Sequence, residues 1–280
     1  MASVVVPAHN EERVIGRLLE ALTRDRTPGE LEIVVVCNGC TDRTAEIARE
    51  AGGRADVRVE EIPEASKFLA LRRGDEIART LPRLYVDADV VLDGGSVCAL
   101  ARAVGRPGVL AAAPARDLDL SRSSGVVRAY HRVWERLPAV RSGLYGRGVL
   151  AVSAGGFERI RERPNVLGDD LFLHHAFRDT ERIVVPQARA TVTAPRTVGA
   201  LLARRTRAAL GNAQFAERRQ ESTDTTHSSL LEVLQVARRE PRLAPAIVVF
   251  VAVTLAARLR ARSLRKQGDL SWLRDDTSRT

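Results

Sequence analysis

The chain opens with an apolar run that does not alternate, Val4-Val5-Val6, and Pro7-Ala8-His9-Asn10-Glu11 breaks it at once into a loop. Runs of this kind mark strands buried on both faces, as in parallel sheets covered by helices. Residues 12–22 then place Val14, Ile15, Leu18, Leu19 and Leu22 on one helical stripe, and Leu31-Glu32-Ile33-Val34-Val35-Val36 supplies a second buried strand. Strand, loop, helix, turn and strand predict a right-handed crossover with the strands parallel. Their C-terminal loops then open on one sheet edge, where open α/β folds bind ligands.

The alternation continues with a helix over 44–51, a strand over 57–62, a helix carrying Leu69, Leu71, Ile77 and Leu81, and the strand Arg83-Leu84-Tyr85-Val86. Asp93-Gly94-Gly95-Ser96 reads as a turn and helix cap before a helix over 97–104. Further elements are a strand over 109–113, a helix over 122–137, short strands over 183–186 and 190–194, and a basic helix from Thr197. Between 143 and 156, glycines alternate with Val149-Leu150-Ala151-Val152, which reads equally as backbone approaching a ligand or as a turn-rich hairpin. The polar stretch 221–229 predicts a linker ahead of a C-terminal extension over 221–280.

With 280 residues and 45% hydrophobic content, one large α/β domain and an appendage can be built without covalent staples. Three cysteines argue against a disulfide framework and for a reducing compartment, and no export signal is expected from the first residues. The net charge is +9, but only Lys67 and Lys266 are lysines, so the basic excess reads as coding bias in favour of arginine and not as nucleic-acid binding. Its placement is more telling. Residues 196–266 hold fourteen basic and five acidic residues, a surplus equal to the whole net charge, and such a field attracts phosphates or anionic lipid. Within it, residues 244–257 carry no charge. At ~1.5 Å per residue they reach roughly 20 Å, short of a ~30 Å hydrocarbon core, which predicts a helix that is interfacial, re-entrant or packed on the domain, ahead of a span.

Asp87-Ala88-Asp89 ends an apolar strand with two carboxylates. In an extended backbone both point to one side, and two hard oxygens suit Mg²⁺ or Mn²⁺ with water and phosphate in the remaining positions. An isolated pair of this kind more often makes a turn. No Gly-x-Gly-x-x-Gly or phosphate-binding P-loop occurs, which weighs against a dinucleotide oxidoreductase or a P-loop enzyme. Cys37-x-x-Cys40 raises a redox or zinc reading, but zinc needs two more ligands and only Cys98 remains among the cysteines.

Taken together, the chain resembles the family 2 glycosyltransferases over residues 4–214. The resemblance is carried by Pro7-Ala8-His9-Asn10-Glu11, Asn38-Gly39-Cys40-Thr41-Asp42-Arg43-Thr44, Lys67, Asp87-Ala88-Asp89, Asp169-Asp170-Leu171-Phe172-Leu173 and Arg204-Arg205-Thr206-Arg207. It implies an inverting enzyme of the GT-A fold, a Rossmann-like α/β/α sandwich with a mostly parallel central sheet and here a basic helical extension. The transferase domain would be 1–220, with a nucleotide-sugar-binding half over 1–110 and an acceptor-binding half over 111–220. The resemblance assigns Pro7, Ala8, Asn10, Glu11, Asn38, Asp42, Lys67, Asp87 and Ala88 to the nucleotide sugar. Asp89, with Asp87, would bind a divalent Mg²⁺ or Mn²⁺. Asp170 would be general base for the acceptor hydroxyl, supported by Asp169, while Arg204, Arg205 and Arg207 would hold the departing diphosphate.

Two departures are visible: Ala208 stands where an aromatic often follows the last arginine, and Cys37 where many relatives carry an acid that reads the base. The implied partners are a nucleoside-diphosphate sugar and a hydroxyl acceptor that is lipid-linked or part of a cell-envelope glycan. The implied location is cytoplasmic, peripheral on the inner membrane surface, with no nucleic-acid partner. Two other readings are a sugar-nucleotide-forming nucleotidyltransferase, which would need a Gly-rich basic first loop, and a non-catalytic nucleotide-sugar-binding protein.

Overall fold

A computed structural model describes residues 1–24, 30–51, 57–165, 169–219 and 230–267; the side chains at 169, 170, 216–219 and 230 lie outside that description, as does the expected linker over 221–229. Among the described residues, eight strands form one mixed sheet in the order β3-β2-β1-β4-β7-β6-β8-β5. They are β1 (Ala2–Ala8), β2 (Leu31–Asn38), β3 (Val57–Ile62), β4 (Arg83–Val86), β5 (Val90–Leu92), β6 (Ala111–Asp119), β7 (Val149–Val152) and β8 (Arg182–Thr193). The helices are α1 (Ile15–Thr23), α2 (Thr44–Ala51), α3 (Lys67–Ile77), α4 (Gly94–Val104), α5 (Gly125–Trp134) and α6 (Pro138–Ser142). They continue as α7 (Ala154–Ile160), α8 (Asp169–His175), α9 (Val198–Arg219), α10 (Leu230–Arg239) and α11 (Ala244–Gln267).

The first half of the sheet is parallel, with β1 between β2 and β4. Val4 and Val6 pack with Ile15, Leu18 and Leu22 on one face, while Val5 packs with Leu71 and Tyr85 on the other. That two-sided burial explains why the strand does not alternate. The second half breaks the pattern, because β7 runs antiparallel between β4 and β6. The glycine-flanked run 149–152 is thus an interior strand; Gly146 and Gly148 ahead of it adopt positive φ in the turn, while Gly155 and Gly156 behind it lie in α7.

Several expected elements differ, among them the helix expected to carry Leu81, which ends at Ile77. The helix expected over 122–137 is shorter, α5 over Gly125–Trp134, and a separate helix, α6, starts beyond it at Pro138, whose missing N–H suits a first helical position. The two strands near 183 and 190 are one, β8, whose pairing with β6 jumps from Pro114↔Val185 to Ala115↔Arg189. A bulge absorbs the residues around Pro186, where a proline would interrupt a regular ladder.

The apolar C-terminal segment forms α11, long and apolar enough to cross a membrane by length and composition. Its buried residues Ala246, Phe250, Val253, Ala257 and Ala261 form one stripe, and the helix packs on α5 and α9. Phe250 stacks on Tyr130 with centroids 4.9 Å apart.

Candidate active site

The loops after β1 and β2 lie side by side and are stitched by side-chain to backbone hydrogen bonds. Asn38 Nδ2 donates to Ala8 O at 2.8 Å, Thr41 N to Asn10 Oδ1 at 2.8 Å, and Glu11 N to Thr44 Oγ1 at 2.7 Å. Asn10 adopts φ 53°, a left-handed conformation that asparagine tolerates better than most residues. Asp42 accepts from Thr44 Oγ1 at 2.5 Å and from Glu12 N at 3.2 Å. Burial alone would raise the Asp42 carboxyl, but the Thr44 hydroxyl and the surrounding backbone N–H groups outweigh it and hold the group below the ordinary carboxylate range. Asn10, Asn38 and Asp42 therefore fix the shape of the loops, and Glu11 is buried at their base.

Cys37 and Cys40 meet at the same corner. The Cys37 thiol is hydrogen-bonded to Cys40 and buried, which pushes it up; the same bond, with the Asn10 N–H, draws Cys40 down to about 6. Among the described residues no group of three or more His, Cys, Asp or Glu forms a metal cage.

Gly39 has φ 55°, and a Cβ there would lie 2.8 Å from Ala65 N. Only glycine lets this loop lie against the segment that starts α3. Ser66 caps that helix, accepting from Leu69 N at 3.3 Å, and thereby sets Lys67 at its first position. Lys67 Nζ lies 2.9 Å from Asp87 Oδ1.

Asp87 and Asp89 are not on extended backbone as the i, i+2 argument requires. The strand β4 ends at Val86, and residues 87–89 form a turn closed by Val90 N donating to Asp87 O at 3.2 Å. Aspartate's preference for turns prevails over strand continuation here. Both carboxylates remain half-buried, and their hard oxygens fit Mg²⁺ or Mn²⁺, ions that keep water and phosphate oxygens in the rest of their shell.

An open cavity of about 490 Å³, its mouth included, lies beside this turn. Its polar end is Lys67, Asp87, Gly146 and Gly148, and its apolar wall includes Leu71, Tyr85, Leu144 and Leu173. Pro7 reaches it from β1. Leu173 belongs to α8, so the helix that begins at Asp169 and the turn that carries Asp87 border one space. The side chains of Asp169 and Asp170 lie outside the described residues.

The segment 143–148 closes the cavity and is held by the buried Arg147 and the half-buried Arg116. Arg147 donates to Gly143 O at 2.8 Å and Pro114 O at 2.9 Å. Arg116 stacks on Trp134 at 4.1 Å and donates to Gly146 O at 3.2 Å. Burial pulls both guanidinium groups down to about 10, and for Arg116 the neighbouring Arg147 adds to it. His174 sits beneath, drawn to about 3 by burial and by Arg182, and its Nδ1 accepts from Leu144 N at 3.3 Å. Arg116 and Arg147 carry no motif that singles them out for this site in the sequence, whereas Gly148 belongs to the glycine-rich stretch for which one reading is backbone approaching a ligand. Arg204, Arg205 and Arg207 stand on α9, with Arg205 5.9 Å from the Tyr130 ring, beside α5 and outside the cavity wall formed by the described residues.

A mixed eight-stranded sheet with these loops at one edge is the architecture of the GT-A glycosyltransferases. The model of glycosyl transferase family 2 matches residues 3–164, more than half of the chain, and the chain belongs to that family. Glycosyltransferase AglD from Haloferax volcanii is 33% identical over 200 residues, 66% of this chain and 30% of that protein. The 4,4'-diaponeurosporenoate glycosyltransferase from Staphylococcus aureus is 33% identical over 93 residues, 31% of this chain and 24% of that protein. The matched part of this chain thus spans less than a third of either relative's length. Among solved structures, the mannosyltransferase PcManGT from Pyrobaculum calidifontis, in complex with GDP-Man and Mn²⁺, has a TM-score of 0.62 at 21% identity, covering 95% of this chain and 79% of that one. At that identity the likeness carries the fold.

Proposed function

We propose that this glycosyltransferase moves a sugar from a nucleoside-diphosphate donor to an acceptor hydroxyl with inversion, the acceptor being lipid-linked or part of a cell-envelope glycan. The observation that carries the reading is the shared cavity: Lys67 and Asp87 form its charged end, and α8, which starts with Asp169-Asp170, forms part of its wall. Pro7, Ala8, Asn10, Glu11, Asn38, Asp42 and Ala88 shape the nucleoside side, several of them by holding the two loops together. The Lys67 ammonium, a point charge with three donors, serves the diphosphate. Asp87 and Asp89 would hold a divalent Mg²⁺ or Mn²⁺, which when bound supplies positive charge opposite the leaving diphosphate.

Position 170 is one helical turn before Leu173, at the acceptor side of the cavity. A carboxylate there takes the proton from the incoming hydroxyl, a single in-line displacement that inverts the anomeric centre, with Asp169 positioning the acceptor. Arg204, Arg205 and Arg207 contribute positive potential from α9 as the diphosphate departs. A lipid-linked acceptor agrees with the apolar wall of the cavity and with the lipid named in the staphylococcal relative's activity. On this reading the protein works at the cytoplasmic membrane surface.

The test is Asp170→Asn. Nucleotide binding by calorimetry is expected to stay near wild type while transfer falls by roughly 10²-fold or more. Unchanged turnover removes Asp170 from the base role, and loss of nucleotide binding together with turnover removes the separation of donor and acceptor duties.

A further inference from the structure

The helix α11 is apolar on two opposite faces, and among the described residues the fold covers one of them. At roughly 100° per residue, the buried positions Ala246, Phe250, Val253, Ala257 and Ala261 centre on one side of the helix. Val248, Ala252, Leu255 and Leu259 follow the same three-four spacing about half a turn away, and the stripe continues as Arg262 and Lys266. These outward residues are open to solvent: Val248 is 69% exposed, Leu255 51% and Leu259 62%. The neighbouring helix α10 repeats the arrangement, with Leu231 and Leu234 exposed two turns and one turn before Arg238. Five of the nine large hydrophobic side chains exposed among the described residues lie on these two helices.

We propose that this outward face docks the protein on an anionic lipid bilayer, with α11 lying in the plane of the interface. Charge selects that occupant. The helix has no Asp or Glu anywhere along its length, whereas its last turns carry Arg258, Arg260, Arg262, Arg265 and Lys266. A second copy packed on the same face would gather two such clusters with no carboxylate from either helix to offset them. An anionic lipid surface supplies the countercharge, and long basic side chains reach it while their stems stay on apolar surface. The buried stripe favours an in-plane over a spanning orientation, because Phe250 is stacked on Tyr130 and the helix is packed on α5 and α9. The docking rests on the transferase reading only for its purpose, which is to bring the cavity to a lipid-carried acceptor, and binding is measured without turnover.

The experiment is co-sedimentation of the full chain with vesicles of phosphatidylcholine alone and of phosphatidylcholine mixed with phosphatidylglycerol. The expected result is binding to the mixed vesicles only, weakening as salt is raised. The double variant Leu255→Asp/Leu259→Asp should lose tenfold or more in partitioning. Arg262→Glu/Lys266→Glu, which leaves the apolar stripe intact, should lose the salt-sensitive part. Both sets of residues are exposed, and unchanged melting temperatures would show that the variants fold. Wild-type protein that stays in the supernatant, or variants that sediment like wild type, overturns the proposal. So does resistance of bound protein to alkaline extraction, which marks a span, or a lipid-free dimer that Leu255→Asp/Leu259→Asp dissociates, which makes a second copy the occupant. Vesicle binding without sugar transfer in any donor assay leaves docking standing and removes the transfer reading.

Discussion

Lys67 Nζ lies 2.9 Å from Asp87 Oδ1, joining the first residue of α3 to the first residue beyond β4 at the mouth of the cavity. The two side chains are 32% and 38% exposed, and an ion pair that open to water contributes less than about 1 kcal/mol. It is a weak pair at the place where a phosphate would offer Lys67 a better partner.

Lys67→Ala should therefore leave folding almost unchanged and weaken the donor. One charge-assisted hydrogen bond is worth about 1.5–3 kcal/mol, so nucleoside-diphosphate affinity should fall by roughly 10- to 100-fold. Calorimetry with a nucleoside diphosphate, set beside thermal melts of the same samples, separates the two effects. A large loss of melting temperature with intact affinity would make Lys67 a structural residue.

Gly148 offers a sharper probe of the same corner. Its φ is 63°, and a Cβ would come within 2.4 Å of Val90 Cγ2 and 3.3 Å of Asp87 Oδ2. Gly148→Ala adds backbone strain and a clash, together about 1–3 kcal/mol, and pushes on the Asp87 turn. Nucleotide affinity in the presence of Mn²⁺ should drop more than affinity without it. Equal drops would separate Gly148 from the carboxylates.

The donor half was legible because its signals are local. Val4 to Val6, the stripe from Val14 to Leu22 and the run from Leu31 to Val36 each state their element within a few residues, and β1, α1 and β2 follow them closely. The acceptor half depends on distant pairing. Nothing near Val149 to Val152 indicates that the run enters the sheet between β4 and β6, since that position is fixed by partners about 40 to 70 residues earlier. Arg116 and Arg147 escaped notice for a similar reason: their roles come from Trp134 stacking and from carbonyl groups of the turn, which sequence spacing does not display. The side of α11 that faces outward was equally hidden, because both of its faces read as apolar.

Asp75 is the shared partner of a buried cluster behind the cavity. It accepts from Arg83 Nη1 at 2.9 Å, Tyr85 OH at 2.9 Å and Arg163 Nη2 at 2.6 Å. The two arginine side chains are 4% and 3% exposed. Asp75→Ala strands both cations and should cost about 3–5 kcal/mol, whereas Tyr85→Phe removes one neutral donor and should cost about 1 kcal/mol. Denaturant melts of the two variants test the ranking. A Tyr85→Phe loss as large as that of Asp75→Ala would show that the phenol, and not the charge pairing, holds the cluster.

His131 gives the fold an acid-sensitive seam under α9 and α11. It is buried, its Nδ1 is 2.9 Å from Val127 O, and burial with the nearby Arg204 and Arg205 draws it down to about 4. The unfolded chain binds that proton near pH 6.5, so between about 6.5 and 4 it carries a charge that the folded protein refuses. Stability should fall as pH falls through that window, by on the order of 3 kcal/mol at its lower end, and the loss should be absent above it. His131→Phe keeps an aromatic ring against Tyr130 and Trp134 but removes the titration. Its stability should start lower, through the lost hydrogen bond to Val127, and then decline less steeply than wild type from pH 6.5 to 4. Melting temperatures across that range decide it, and parallel slopes for the two proteins would assign the acid loss to other groups.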